Sequence, residues 1–104
     1  MVKLAYDKEG FLRDLDAWTP AVAATIAANE NVTLTPAHWR VLETLRAFYA
    51  ETDVSPAMRP FVKIMRERLG EGFGTSIALM QLFGDSPAKT AAKIAGLPRP
   101  TNCL

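Results

Sequence analysis

Thr35-Pro36-Ala37-His38-Trp39-Arg40-Val41-Leu42-Glu43-Thr44-Leu45-Arg46-Ala47-Phe48-Tyr49 is the stretch on which the fold of this chain turns. Val41, Leu42, Leu45, Phe48 and Tyr49 recur at helical spacing with Arg40, Glu43, Thr44 and Arg46 between them, the pattern of a helix that buries one face. Its start is marked by a hydroxyl followed by proline. The hydroxyl oxygen can accept from a backbone N–H that the first turn leaves unpaired, and proline at the first helical position lacks an N–H that would have no partner there. The spacing predicts a helix over 36–51 that anchors the core.

The same device recurs at Thr19-Pro20, Ser55-Pro56 and Ser86-Pro87, and a further start falls at Thr75 or Ser76, ahead of Ile77, Leu79, Met80 and Leu82. Helices are therefore predicted over 20–29, 36–51, 56–69, 76–83 and 87–95. In the third, Met58, Val62, Met65 and Leu69 form an apolar stripe, Pro60 kinks the first turn and Gly70 stops the helix. In the fifth, Ala88, Ala91, Ala92 and Ala95 make a slim surface for close packing, and Gly96 offers a left-handed stop. Residues 2–13 mix apolar and charged side chains around the turn Asp7-Lys8-Glu9-Gly10, which predicts a short β-hairpin lying on the helices. The expected fold is α+β but mostly α: an orthogonal bundle of about five helices with an N-terminal β-hairpin, one domain over 1–95, then an extended, mobile segment over 96–104.

The totals narrow the classes. A chain of 104 residues builds one core without needing a disulfide or metal. Twelve Lys and Arg against eleven Asp and Glu leave a net charge of +1, so no global basic field argues for nucleic acid. A single cysteine forms no internal disulfide, which suits a reducing compartment such as the cytoplasm. Neither an export signal nor an apolar run long enough to span a membrane is present.

The tail Gly96-Leu97-Pro98-Arg99-Pro100-Thr101-Asn102-Cys103-Leu104 carries that cysteine next to the C-terminus. Pro98 and Pro100 fix φ and push their preceding residues away from helical geometry. An extended segment at roughly 3.1 Å per residue carries the thiol about 25 Å from the last helix, far enough to enter another protein. A lone cysteine is by default a small buried hydrophobe, but this position argues for an exposed thiol. The Leu104 carboxylate disfavours the thiolate, and Arg99 is the only cation in the tail to offset it.

Other groups read more plainly. His38 has no second histidine or nearby cysteine with which to hold a metal, and Trp39 reads as core or half-core packing; a role for His38 as acid or base toward Cys103 is the sharper alternative. Gly70, Gly72 and Gly74 form a connector without a phosphate-loop Lys-Ser/Thr, and no cofactor is expected. Arg59, Lys63 and Arg66 make a basic stripe on the third helix, either a solvated face or a docking patch for an acidic partner surface or an RNA phosphate. The second and third helices, joined around Thr52-Asp53-Val54, also admit a helix-turn-helix reading with DNA as partner, against which stand Pro60, the near-neutral charge and the unexplained tail.

Pro87-Ala88-Lys89, Ala91, Lys93-Ile94-Ala95-Gly96-Leu97-Pro98-Arg99-Pro100-Thr101 and the penultimate Cys103 together resemble the C-terminal signature of the DsrC/TusE family of small sulfur-carrier proteins. The likeness extends upstream through Asp7-Lys8-Glu9-Gly10-Phe11-Leu12, Trp18, Leu34 to Trp39, Arg46 with Tyr49, and Ser55 to Arg59 leading to Lys63. It implies a DsrC-like fold and a persulfide carried on Cys103. In DsrC proper a second cysteine stands eleven residues before the last; here that position is Ala92, so the chain is similar to the single-cysteine TusE branch. The resemblance then implies a TusBCD-like sulfur donor complex, an MnmA-like tRNA thiouridylase as acceptor and wobble 2-thiouridine as product, with any tRNA contact indirect. Sulfur oxidation, dissimilatory sulfur metabolism and a regulatory role stay open as alternatives. Arg99 is assigned to steer or hold the thiolate, and Arg59, Lys63, Arg66 and Lys93 to docking. The chain departs from the family pattern at Gly84-Asp85-Ser86-Pro87, at Arg99 where lysine is usual and at Asn102 where glycine is usual.

Overall fold

The computed structural model describes residues 5–100. Five α-helices follow one another, α1 (Pro20–Asn29), α2 (Pro36–Thr52), α3 (Met58–Leu69), α4 (Ser76–Phe83) and α5 (Pro87–Ile94), with 3-10 turns at Leu15–Ala17 and Glu71–Phe73. The hydroxyl signals place their starts. Thr19 Oγ1 accepts from the Val22 N–H at 3.2 Å and Thr75 Oγ1 from the Ala78 N–H at 3.0 Å. Pro20, Pro36 and Pro87 all occupy the first turn of their helices.

Ser55-Pro56 is the exception. The third helix begins at Met58, two residues later than the predicted start, with Ala57 as its cap. A start at Pro56 would place Pro60 where its missing N–H belongs to the helix ladder. Beginning at Met58 puts Pro60 third, where no intrahelical donor is required, and the first such bond runs from the Phe61 N–H to the Ala57 carbonyl at 2.9 Å. Ser55 is buried, and its Oγ has no hydrogen-bond partner among the described residues.

The expected N-terminal β-hairpin does not form. Among the described residues there is no strand or sheet, only one antiparallel bridge between Tyr6 and Leu12; residues 2–4 of the predicted hairpin lie outside the described residues. The Asp7 carboxylate turns the chain tightly, accepting from the N–H groups of Glu9 (2.8 Å) and Phe11 (3.0 Å). Asp14 then caps the first 3-10 turn through the Asp16 N–H, which ends any ladder on that side. A surface strand alternates between core and solvent, yet Phe11 and Leu12 are both buried, so the segment is wedged against the helices. The architecture of the described residues is thus helical, and the α+β reading is corrected.

α5 is central and packs against α1, α2, α3 and α4. Its Ala91 and Ala92, and Ala95 that caps it, are fully buried, and such small side chains let neighbouring helices approach closely. Val41, Leu42 and Leu45 of α2 and Phe61, Ile64 and Met65 of α3 supply the bulk around it. Burial of each large side chain is worth about 1.5–3 kcal/mol. Among the described residues no helix is long and apolar enough to cross a membrane.

Candidate functional site

The segment that would present Cys103 leaves the domain where α5 stops, and this junction is closely specified. A helix leaves its last four carbonyls without intrahelical partners. Here all four are satisfied. The Ala92 carbonyl accepts from the Leu97 N–H (2.9 Å) and the Lys93 carbonyl from the Gly96 N–H (3.1 Å), a Schellman stop with Gly96 at φ +74. The Ile94 carbonyl accepts from Trp18 Nε1–H (2.9 Å) and the Ala95 carbonyl from Arg46 Nη1–H (2.7 Å).

Trp18 and Arg46 also brace one another. The Arg46 guanidinium lies 4.0 Å from the centre of the indole ring, and its charge faces the negative end of α5. Burial pushes the Arg46 pKa down and nearby Asp16 opposes that shift; the guanidinium stays charged at any physiological pH. Leu97, the first residue past the stop, is 2% exposed. Arg46→Ala is expected to cost about 2 kcal/mol through loss of a charge-assisted hydrogen bond and the ring contact, read as a lowered midpoint in urea. Arg46→Lys restores only part of it, because an ammonium cannot both stack flat and donate as a fork.

Beyond Leu97 the chain lies over the N-terminal turn. Pro98, Arg99 and Pro100 line a groove with Phe11, Leu12 and Arg13. The Arg99 guanidinium pairs with Glu9, whose other carboxylate oxygen accepts from Lys89 Nζ at 2.9 Å. Cys103 lies outside the described residues. A second, apolar groove sits at the opposite end of α5, lined by Ala57, Met58, Met80, Pro87 and Ala88.

The other sequence-predicted residues are scattered. Arg59 and Lys63 are exposed on α3. Arg66 is turned back on its own loop, donating through Nε and Nη2 to the Gly74 carbonyl at 3.2 and 2.9 Å. Lys93 is buried, with Nζ 3.2 Å from Glu30 Oε2 and 5.3 Å from the centre of the Phe11 ring. His38 is a structural group: the Thr35 N–H donates to Nδ1 (3.0 Å), so Nε2 carries the proton and donates to the Leu82 carbonyl (2.6 Å). It thereby takes the place that Glu or Gln holds in a capping box. Sequence reasoning gave Trp18 and Arg46 no role at this junction; the only signal was their place among the positions that resemble the family.

The comparisons agree with this geometry. A family model described as "DsrC like protein" matches residues 2–104. The sulfurtransferase TusE of Sodalis glossinidius is 46% identical over 102 residues, covering 98% of this chain and 94% of that protein. The sulfurtransferase TusE of Escherichia coli K12 is 46% identical over 98 residues, covering 94% and 90%. Among solved structures, DsrC of Allochromatium vinosum superposes with a TM-score of 0.89 at 42% identity, covering 97% of this chain and 90% of that one. The oxidized γ-subunit of dissimilatory sulfite reductase (DsrC) from Archaeoglobus fulgidus gives 0.83 at 33% identity, covering 99% and 94%. With a single cysteine, a helical body built around α5 and a match along nearly its whole length, the chain belongs to the DsrC-like family.

Proposed function

We propose that this chain is a sulfur-relay protein of the TusE type, in which Cys103 carries sulfur as a persulfide on a C-terminal arm that moves beyond Pro98, with Gly96 and Leu97 as its fixed mount. The observation that carries the reading is the 46% identity to sulfurtransferases TusE in a chain with one cysteine. In the first step the Cys103 thiolate attacks the terminal sulfur of a donor persulfide. An S–S bond forms on Cys103, the donor's S–S bond breaks, and the donor leaves as a thiolate. An acceptor thiolate then attacks the outer sulfur of the Cys103 persulfide and expels the Cys103 thiolate. Each exchange is redox-neutral and needs no cofactor. A TusBCD-like donor, an MnmA-like acceptor, tRNA 2-thiouridine as destination and the cytoplasm as location complete the proposal.

Position 92 supports a relay over a two-thiol mechanism. Residue 92 is alanine, so the chain has no second thiol there to close a disulfide with Cys103. Arg59, Lys63 and Arg66 are the exposed members of the docking set, and Lys93 is buried. The helix-turn-helix alternative loses ground because α3 buries Phe61, Ile64 and Met65, while Arg66 holds Gly74 and Arg68 holds Glu51.

The test is intact mass. Reduced protein incubated with a persulfide donor is expected to gain about 32 Da, one sulfur atom, reversibly on reduction. No gain with a competent donor complex would refute persulfide carriage and turn attention to DNA binding and its salt dependence.

A further inference from the structure

Glu9 stands where the N-terminal turn meets both α5 and the segment that follows it. One carboxylate oxygen accepts from Lys89 on α5 at 2.9 Å, and the other pairs with Arg99. The platform under Glu9 is rigid: Asp7 accepts from the Glu9 and Phe11 N–H groups, and buried Phe11 sits beneath the Lys93 ammonium. Arg99 itself is 56% exposed along its side chain, and ion pairs of that exposure are weak and screened by salt. Leu97, two residues earlier, is buried and hydrogen-bonded to α5. Across Pro98 the chain thus passes from a fixed mount to a segment that a surface carboxylate helps to hold.

We propose that Glu9 is a positioning residue of the carrier arm: with Lys89 it keeps Arg99 against the N-terminal turn, and an acidic group on a partner surface that takes over Arg99 releases the arm beyond Pro98. The proposal deepens the carrier reading and rests on it for its purpose. A weak, exposed latch fits that purpose, since a partner has little to overcome when it exchanges one carboxylate for another. It also gives the Arg99 charge a described partner on the domain itself.

The experiment is ¹⁵N relaxation on the full, reduced chain. In the wild type at low salt the Arg99 amide is expected to have an order parameter near that of the rigid backbone, about 0.85, and in Glu9→Gln to fall below about 0.6. Arg99→Gln and salt near 1 M, where the screening length is about 3 Å, are expected to loosen the segment in the same way. The charge-swapped pair Glu9→Arg with Arg99→Glu is expected to restore order, which a merely structural glutamate would not do. The Leu97 amide stays rigid throughout. Equal Arg99 order in wild type and Glu9→Gln, whether both rigid or both loose, would overturn the proposal. Because the readout is motion and not sulfur, its failure leaves the mass-gain result standing, and failure of the mass gain leaves the latch standing.

Discussion

Cys103→Ser is expected to abolish sulfur transfer while leaving the domain as stable as before. A serine hydroxyl is not ionised near neutral pH and forms no persulfide, so the first exchange has no nucleophile and the second has no persulfide for the acceptor to attack. In the wild type the thiolate is the attacking species, so transfer is expected to rise with pH as the thiol deprotonates, and a pH-independent rate would point to another group. On the proposed carrier role, stability is expected to change by no more than about 0.5 kcal/mol, a thermal shift of roughly 2–4 °C, since a thiol offered to partners contributes little packing. A loss of several kcal/mol would instead put the thiol in the core, and the carrier reading would fall with it.

Gly96→Ala is expected to cost the fold several kcal/mol. Gly96 holds φ +74, a conformation that costs an L-residue about 1–2 kcal/mol. An added Cβ would also lie 2.3 Å from Trp18 Cδ1, so the indole must move. Moving it weakens the Nε1–H bond to the Ile94 carbonyl and the Arg46 contact, an overpacking cost of about 1–3 kcal/mol. The sum, about 2–5 kcal/mol, lowers the melting temperature by roughly 10–30 °C for a domain of this size. The control is the same substitution in a Trp18→Ala background, where the backbone cost stays and the indole that the added Cβ meets is gone. An equal loss from Gly96→Ala with and without Trp18 would show that Trp18 does not press on the junction. Where Gly96→Ala still folds, transfer is expected to slow beyond what the stability loss explains, because the arm leaves the domain in a different direction.

Much of this protein was legible from local chemistry. Hydroxyl-proline pairs and 3.6-residue periodicity act within one turn of chain, and they located α1 and α4 at Pro20–Asn29 and Ser76–Phe83 and put α2 and α5 within a residue of their observed ends. The alanine face of the last helix and the stop at Gly96 were equally local. So was the family likeness, because it rests on residue identities alone. Where two local signals competed, only their balance in the folded chain decided: Pro60 moved the start of α3 past Ser55-Pro56, and the Asp7 turn with the Asp14 cap left the predicted hairpin as a single bridge.

What tertiary structure alone decided is which side chain meets which. Trp18 reaches the end of α5 across 76 positions of sequence and Arg46 across 49, distances over which no periodicity carries information. Of the basic residues read as a docking set, Arg66 and Lys93 found partners at Gly74 and Glu30, while Arg99, read as holding the thiolate, pairs with Glu9. A cation's position on a helix face follows from its spacing. Its partner follows from the packing of other elements around it, and that packing gave Arg66 a loop carbonyl, Lys93 a half-buried carboxylate and Arg99 a surface one.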